Sequence, residues 1–230
     1  MDKKKIAVKQ NVKQFFSPYK VAMFDLDGTL TDSGRAITSS VEYALSQFGI
    51  TDQPRQKLET FIGPSLYDSF TREYHMNDED CNKAVALYRD IYEKEQMYDV
   101  DIYEGIPELL ESLKEKGFIV VLITSKPLVF AEKILTRIGL DKYFDHMVGP
   151  TLSDHSSDKK RLIETAISTY NLEKKSCIMI GDTAYDIKGA VDAGIDSIAV
   201  TYGYGSTSAM IREGATFVAD SAKEILSFLC

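Results

Sequence analysis

The 230-residue chain reads as an α/β protein, a parallel sheet covered by helices on both faces and interrupted early by a helical insert. Two observations predict this. Over residues 104–230, apolar runs alternate with helical patterns, the arrangement of a parallel sheet with helices on each side. Residues 34–100 break the alternation, holding amphipathic helical patterns and no convincing strand.

The first strand is expected over residues 21–27, an apolar run ending in acid. In the insert, Ile37, Val41, Leu45 and Phe48 recur at helical steps over 36–48. Residues 80–98 repeat the pattern with Ala84, Leu87, Ile91 and Tyr92. Further strands are expected over 118–125, 146–150, 176–182 and 197–202, several dense in β-branched residues, as in strands covered on both faces. Helices are expected over 106–116, 129–138, 159–170 and 184–193, with Gly117, Gly139 and Gly194 placed to close three of them. The expected division is a flexible leader over 1–16, a core from 17–33 and 101–230, and the helical insert over 34–100.

Composition narrows the function classes. The chain is 44% hydrophobic and 27% charged, ordinary for a soluble globular protein. No apolar run approaches the roughly 20 residues of a membrane span. The leader MDKKKIAVKQNVKQFF lacks the apolar centre of a secretory signal, so a cytoplasmic location is expected. Its lysines at 3, 4, 5, 9 and 13 are expected to be solvated. The formal net charge of −8 argues against a general affinity for nucleic-acid backbones. Cys81, Cys177 and Cys230 form no CxxC pair, which fits reduced thiols, and His75, His146 and His155 show no zinc spacing.

The sharpest signal is Phe24-Asp25-Leu26-Asp27-Gly28-Thr29. Residues i and i+2 of a strand face the same way, so both carboxylates can serve one site. Parallel sheets place ligands at the C-terminal ends of their strands. Two adjacent negative charges call for compensation, and a hard divalent cation such as magnesium supplies it while clamping phosphate oxygens. An aspartate-rich turn that caps the next segment is the alternative.

Three further strings follow in order. The run 120–123 ends in Thr124-Ser125, whose hydroxyls can hold a phosphate or cap a helix. Lys159 opens a helix, where a positive charge is disfavoured unless an anion meets it. Gly181-Asp182 ends a fourth apolar run, and Asp186, four residues on, falls in the first turn of the next helix.

Together, DxDGT, the strand-end Thr, the lysine and GDxxxD resemble the haloacid dehalogenase superfamily, in particular its phosphoglycolate-phosphatase-like members. The resemblance runs from about Tyr19 to the C-terminus and includes the Gly-rich loop Val200–Gly205. It implies a Rossmann-like core with a helical cap inserted after the first strand. It further implies a magnesium-dependent phosphatase acting on a small phosphorylated metabolite, phosphoglycolate-like or a nucleoside monophosphate. On that resemblance Asp25 is the nucleophile and Asp27 the acid/base. Thr124, Ser125 and Lys159 hold the phosphoryl group. Asp25, Asp182 and the Asp27 carbonyl bind Mg2+, with Asp186 in support. A phosphomutase, or a phospho-ligand-binding module without catalysis, uses the same core.

In the insert, the turn over residues 61–66 is expected to face the site and to choose substrates. Substitution of Gly63 or Leu66 is therefore expected to change substrate ranking more than stability. Arg35 and Arg72 are basic candidates for a second anionic group.

Overall fold

The computed structural model describes residues 18–154 and 158–230; the leader expected over 1–16 lies outside them. The chain opens with β1 (Val21–Phe24), then forms a two-residue strand β2 (Thr31–Asp32). The insert follows as α1 (Gly34–Ser46), α2 (Arg55–Glu59), α3 (Leu66–Tyr74) and α4 (Asp78–Ile91). Ser65 caps α3 through the Asp68 amide at 3.1 Å, and Asn77 caps α4 through the Asp80 amide at 2.9 Å. The helix expected over 80–98 does not continue unbroken, because α4 passes into a π-helical turn over Tyr92–Gln96.

The return to the core is β3 (Asp101–Ile102), which pairs antiparallel with β2, Thr31 opposite Ile102 and Asp32 opposite Asp101. Both crossings between core and insert thus run through one small ribbon. Arg35 bonds Asp99 and Asp101 beside it, each at 2.9 Å.

The remainder alternates as the sequence predicts: α5 (Ile106–Glu115), β4 (Ile119–Ile123), α6 (Leu128–Ile138), β5 (His146–Val148), α7 (Lys159–Thr169), β6 (Cys177–Gly181), α8 (Ala184–Ala193) and β7 (Asp196–Val200). Beyond residue 202 lie three elements that the sequence reading did not separate, α9 (Thr207–Glu213), β8 (Phe217–Ala219) and α10 (Ala222–Leu229). No helix among the described residues is long and apolar enough to cross a membrane.

Six strands form one parallel sheet in the order β5-β4-β1-β6-β7-β8. Counted along the chain, that order is 3-2-1-4-5-6, the doubly wound arrangement, and it reverses direction at β1. Side chains of each strand alternate between two apolar layers, as the two-residue period requires. Ala22, Phe24, Val120, Leu122, Ile178 and Ile180 face one layer. Val21, Met23, Val121, Ile123, Cys177 and Met179 face the other. Every one of these residues is buried, which explains why the runs read as continuously apolar. The insert packs its own cluster around Val41, Leu45, Phe70, Ala84 and Tyr92, and Phe130 and Ile134 of α6 complete it. The insert is therefore seated on α6, directly beyond the C-terminal end of β4.

Candidate active site

The strand β1 ends at Phe24, three residues earlier than expected, because the chain turns out of the sheet at the acid pair. The Asp25 amide still donates to the Ile180 carbonyl at 3.0 Å, which fixes Asp25 at the strand tip. Gly28 then turns with φ +85°, and a Cβ there would collide with the Asp182 carboxylate. Only glycine allows that approach.

Three carboxylates meet at this point. Oxygens of Asp25, Asp182 and Asp186 lie within 4.8 Å of one another, all buried. Lys159, the first residue of α7, reaches in with its side chain 4% exposed. Its ammonium lies 2.9 Å from Asp25 Oδ1 and 2.8 Å from Asp186 Oδ1, and donates to the Ile123 carbonyl at 3.0 Å. Asp186 also caps α8, its Oδ2 accepting from the Thr183 amide at 3.1 Å and hydroxyl at 2.6 Å. Asp182 accepts from Thr29 Oγ1 at 3.1 Å and from the Tyr204 amide at 2.9 Å. That amide comes from the Gly-rich loop, where a Cβ on Gly203 would run into the same carboxylate.

The charges do not balance, since three carboxylates face one ammonium. Burial pushes the Asp25 carboxyl up to about 7, against the pull of Lys159 and with a further push from Asp186. Burial likewise drives Asp182 well above the ordinary carboxylate range, with Asp186 and Asp25 adding to it. Burial opposes the Lys159 charge, but Asp186 and Asp25 outweigh it and keep the ammonium protonated. Asp186 Oδ1 accepts no well-angled hydrogen bond, its one close contact being the Lys159 ion pair. An all-oxygen donor set with surplus negative charge and an under-used oxygen fits a hard divalent cation.

Lys159→Met removes the ammonium that pairs with Asp25 and Asp186 and leaves their charge uncompensated. The metal-free variant is expected to lose about 3–5 kcal/mol of unfolding free energy, read by urea denaturation. A loss below about 1 kcal/mol would show that Lys159 is not what compensates the cluster.

Asp27 faces a different environment. Its Oδ1 accepts from Ser33 Oγ at 2.6 Å, and its Oδ2 lies 3.0 Å from Lys126 Nζ. Lys126 also donates to the Tyr92 hydroxyl at 2.8 Å, so the insert's π-helical turn touches the core through this lysine. Thr124 is buried at the tip of β4, its hydroxyl accepting from the Lys126 amide at 3.1 Å. The sequence reading gave Ser33 and Lys126 no role and took Tyr92 only as an apolar position of the insert. Only Lys126 left a local trace, two residues after Thr124.

Above these groups lies a cavity of about 350 Å³. Its core side presents Asp25, Asp27, Thr124, Ser125 and Lys126, and its insert side includes Gly63, Leu66, Tyr88 and Arg89. The turn over residues 61–66 therefore does face the acids. Arg35 and Arg72 do not line this cavity. Arg35 is engaged at the ribbon, and Arg72 bonds Glu73 at 2.7 Å and the Tyr185 hydroxyl at 3.0 Å.

A family model described as haloacid dehalogenase-like hydrolase matches residues 22–200. A 5'-nucleotidase from Pseudomonas aeruginosa is 38% identical over 188 residues, 82% of this chain and 85% of that protein. A phosphoglycolate phosphatase from Colwellia psychrerythraea is 29% identical, over 90% of this chain and 95% of its own length. Among solved structures, a predicted phosphatase from Clostridium acetobutylicum superposes with a TM-score of 0.88 at 41% identity, covering 91% of this chain and 97% of its own.

Proposed function

Since this chain belongs to the haloacid dehalogenase-like hydrolases, and is a phosphoric monoester hydrolase among them, we propose that it releases phosphate from a small metabolite through a phosphorylated Asp25, with magnesium bound beside it. The observation that carries this reading is the buried Asp25 carboxylate, 2.9 Å from Lys159 and open to the cavity.

Asp25 attacks phosphorus through a carboxylate oxygen, forming an acyl phosphate as the bond to the leaving oxygen breaks. Asp27 gives that oxygen a proton. It then takes one from the water that attacks the acyl phosphate, which frees inorganic phosphate and restores the Asp25 carboxylate. Lys159, Thr124 and Ser125 hold the phosphoryl oxygens throughout. Asp25, Asp182 and Asp186, with the Asp27 carbonyl, would hold magnesium, which when bound offsets the charge on nucleophile and phosphoryl group. Lys126 and Ser33 fix the Asp27 carboxylate at the leaving-group side.

The insert acts as a cap that closes on the leaving group, and the substrate is a phosphoglycolate-like compound or a nucleoside monophosphate. Phosphate release across a panel of both classes tests the activity. Mass spectrometry of acid-quenched protein should find the phosphate on the peptide that contains Asp25. Phosphate release with the label on another residue would overturn the covalent step.

Leu66 is only part-buried, so Leu66→Ala should alter the ratio of kcat/KM between substrates by about tenfold with little change in melting temperature. Gly63 departs from the sequence expectation. Its φ of +105° strains any other residue, so Gly63→Val should cost about 1–2 kcal/mol of stability as well. An unaltered substrate ranking in Leu66→Ala would make the turn scaffolding.

A further inference from the structure

Building on the phosphatase reading, we infer that Arg89 determines specificity here, and that the substrate's leaving group carries a second anionic group, a carboxylate or a second phosphate. Two cations line the cavity among the described residues, Lys126 and Arg89. Lys126 is committed, held between the Asp27 carboxylate at 3.0 Å and the Tyr92 hydroxyl at 2.8 Å. Arg89 is not. It takes part in none of the ion pairs among the described residues. Its Nη1 donates to the Leu152 carbonyl at 2.6 Å, while its Nε is buried and meets no acceptor.

A guanidinium is costly to withdraw from water unless an anion faces it. Arg89 is half-buried, and that burial lowers its pKa from the ordinary value. A neutral carbonyl answers one of its five donors and none of its charge. Its planar fork matches the paired oxygens of a carboxylate or phosphate. The transferring phosphoryl group belongs at Asp25, so the anion that Arg89 meets must lie on the part of the substrate that leaves. Arg89 sits on α4 of the insert, so closure of the insert and recognition of that charge are one event. The competing role is a strap, in which Arg89 only ties α4 to the loop after β5 through Leu152.

Matched substrates separate the two. Phosphoglycerate and glycerol phosphate differ only by a carboxylate in place of a hydroxymethyl group, and fructose bisphosphate differs from the monophosphate by the second phosphate. The full-length wild type should prefer the anion-bearing member of at least one pair by about tenfold or more in kcat/KM, and the preferred pair identifies the anion. Arg89→Gln should bring that ratio close to unity, and Arg89→Lys should keep part of it. No preference in the wild type, or an equal loss on both members in Arg89→Gln, overturns the inference and leaves the strap. Should Arg89→Gln fail to fold, Arg89→Lys decides, since a strap would show no pair-dependent loss. Failure of the wild type to hydrolyse even p-nitrophenyl phosphate would instead sink the phosphatase reading. Calorimetric binding of phosphoglycerate against glycerol phosphate, to wild type and variants, still decides Arg89 in that case.

Discussion

Asp25→Asn should lower turnover by more than about 10⁴-fold while leaving the melting temperature within a few degrees of wild type. The two halves of that expectation have separate causes. The amide oxygen still accepts from Lys159, whose ammonium lies 2.9 Å from Asp25 Oδ1, so the contact at the strand tip survives. The substitution also removes one of three mutually repelling buried charges, which offsets part of the lost ion pair. What cannot survive is nucleophilicity, because an amide has no anionic oxygen to present to phosphorus. Asp27→Asn should lose less, about 10²- to 10⁴-fold, since it removes proton transfer and keeps the nucleophile. Steady-state phosphate release beside a melting curve checks both. A well-folded Asp25→Asn protein with near-normal turnover would remove Asp25 from the chemistry.

Magnesium withdrawal should be as severe. Excess chelator is expected to stop hydrolysis and added magnesium to restore it, and unchanged rates in chelator would end the metal-dependent reading. Stability offers a second readout. A ligand that binds only the folded state at a hundred times its Kd stabilises by about 2.7 kcal/mol. The effect should depend on pH in a definite direction. The Asp25 carboxyl is raised from an ordinary 3.8 to about 7 in the metal-free fold, so the folded state binds its proton more tightly than the unfolded chain does. Its stabilising contribution is therefore full below the ordinary value and lost as pH rises through about 7. Magnesium should raise the melting temperature more at about pH 8 than at about pH 5. An equal shift at both would mean that the cation binds away from this cluster.

What could be read from the sequence was what is local along the chain. The acid pair, the strand-end threonine and the GDxxxD string each lie within one turn or strand end, and the helix expected over 184–193 has those bounds. The layers of the sheet were legible because both are dry, so each strand shows as an unbroken apolar run. Residues 217–219 were missed because β8 is a three-residue edge strand with Phe217 and Val218 half-exposed, too short to show a period. The pairing of Lys126 with Asp27 spans 99 positions and depends on β1 lying beside β4 in the sheet, which no local string announces. Arg35 shows the same limit. Its sequence context says basic and helical, and only the fold reveals that Asp99 and Asp101 stand beside it at the ribbon.

That ribbon has a consequence for how such a chain can diversify. Thr31 faces Ile102 and Asp32 faces Asp101, so the points where the chain departs and returns are neighbours, about 5 Å apart. Whatever lies between them can change in length or identity without disturbing the register of β1 against β4. On the proposed function the stretch would be an exchangeable cassette, with the reaction kept in one part of the gene and the choice of leaving group in another. Two threads run from that stretch to Asp27: the Ser33 hydroxyl, which donates to it at 2.6 Å, and the Tyr92 hydroxyl, which holds Lys126 at 2.8 Å. A transplanted segment that supplies a hydroxyl at both points would leave Asp27 and Lys126 in place, and recombination could then hand the same catalytic floor a new clientele.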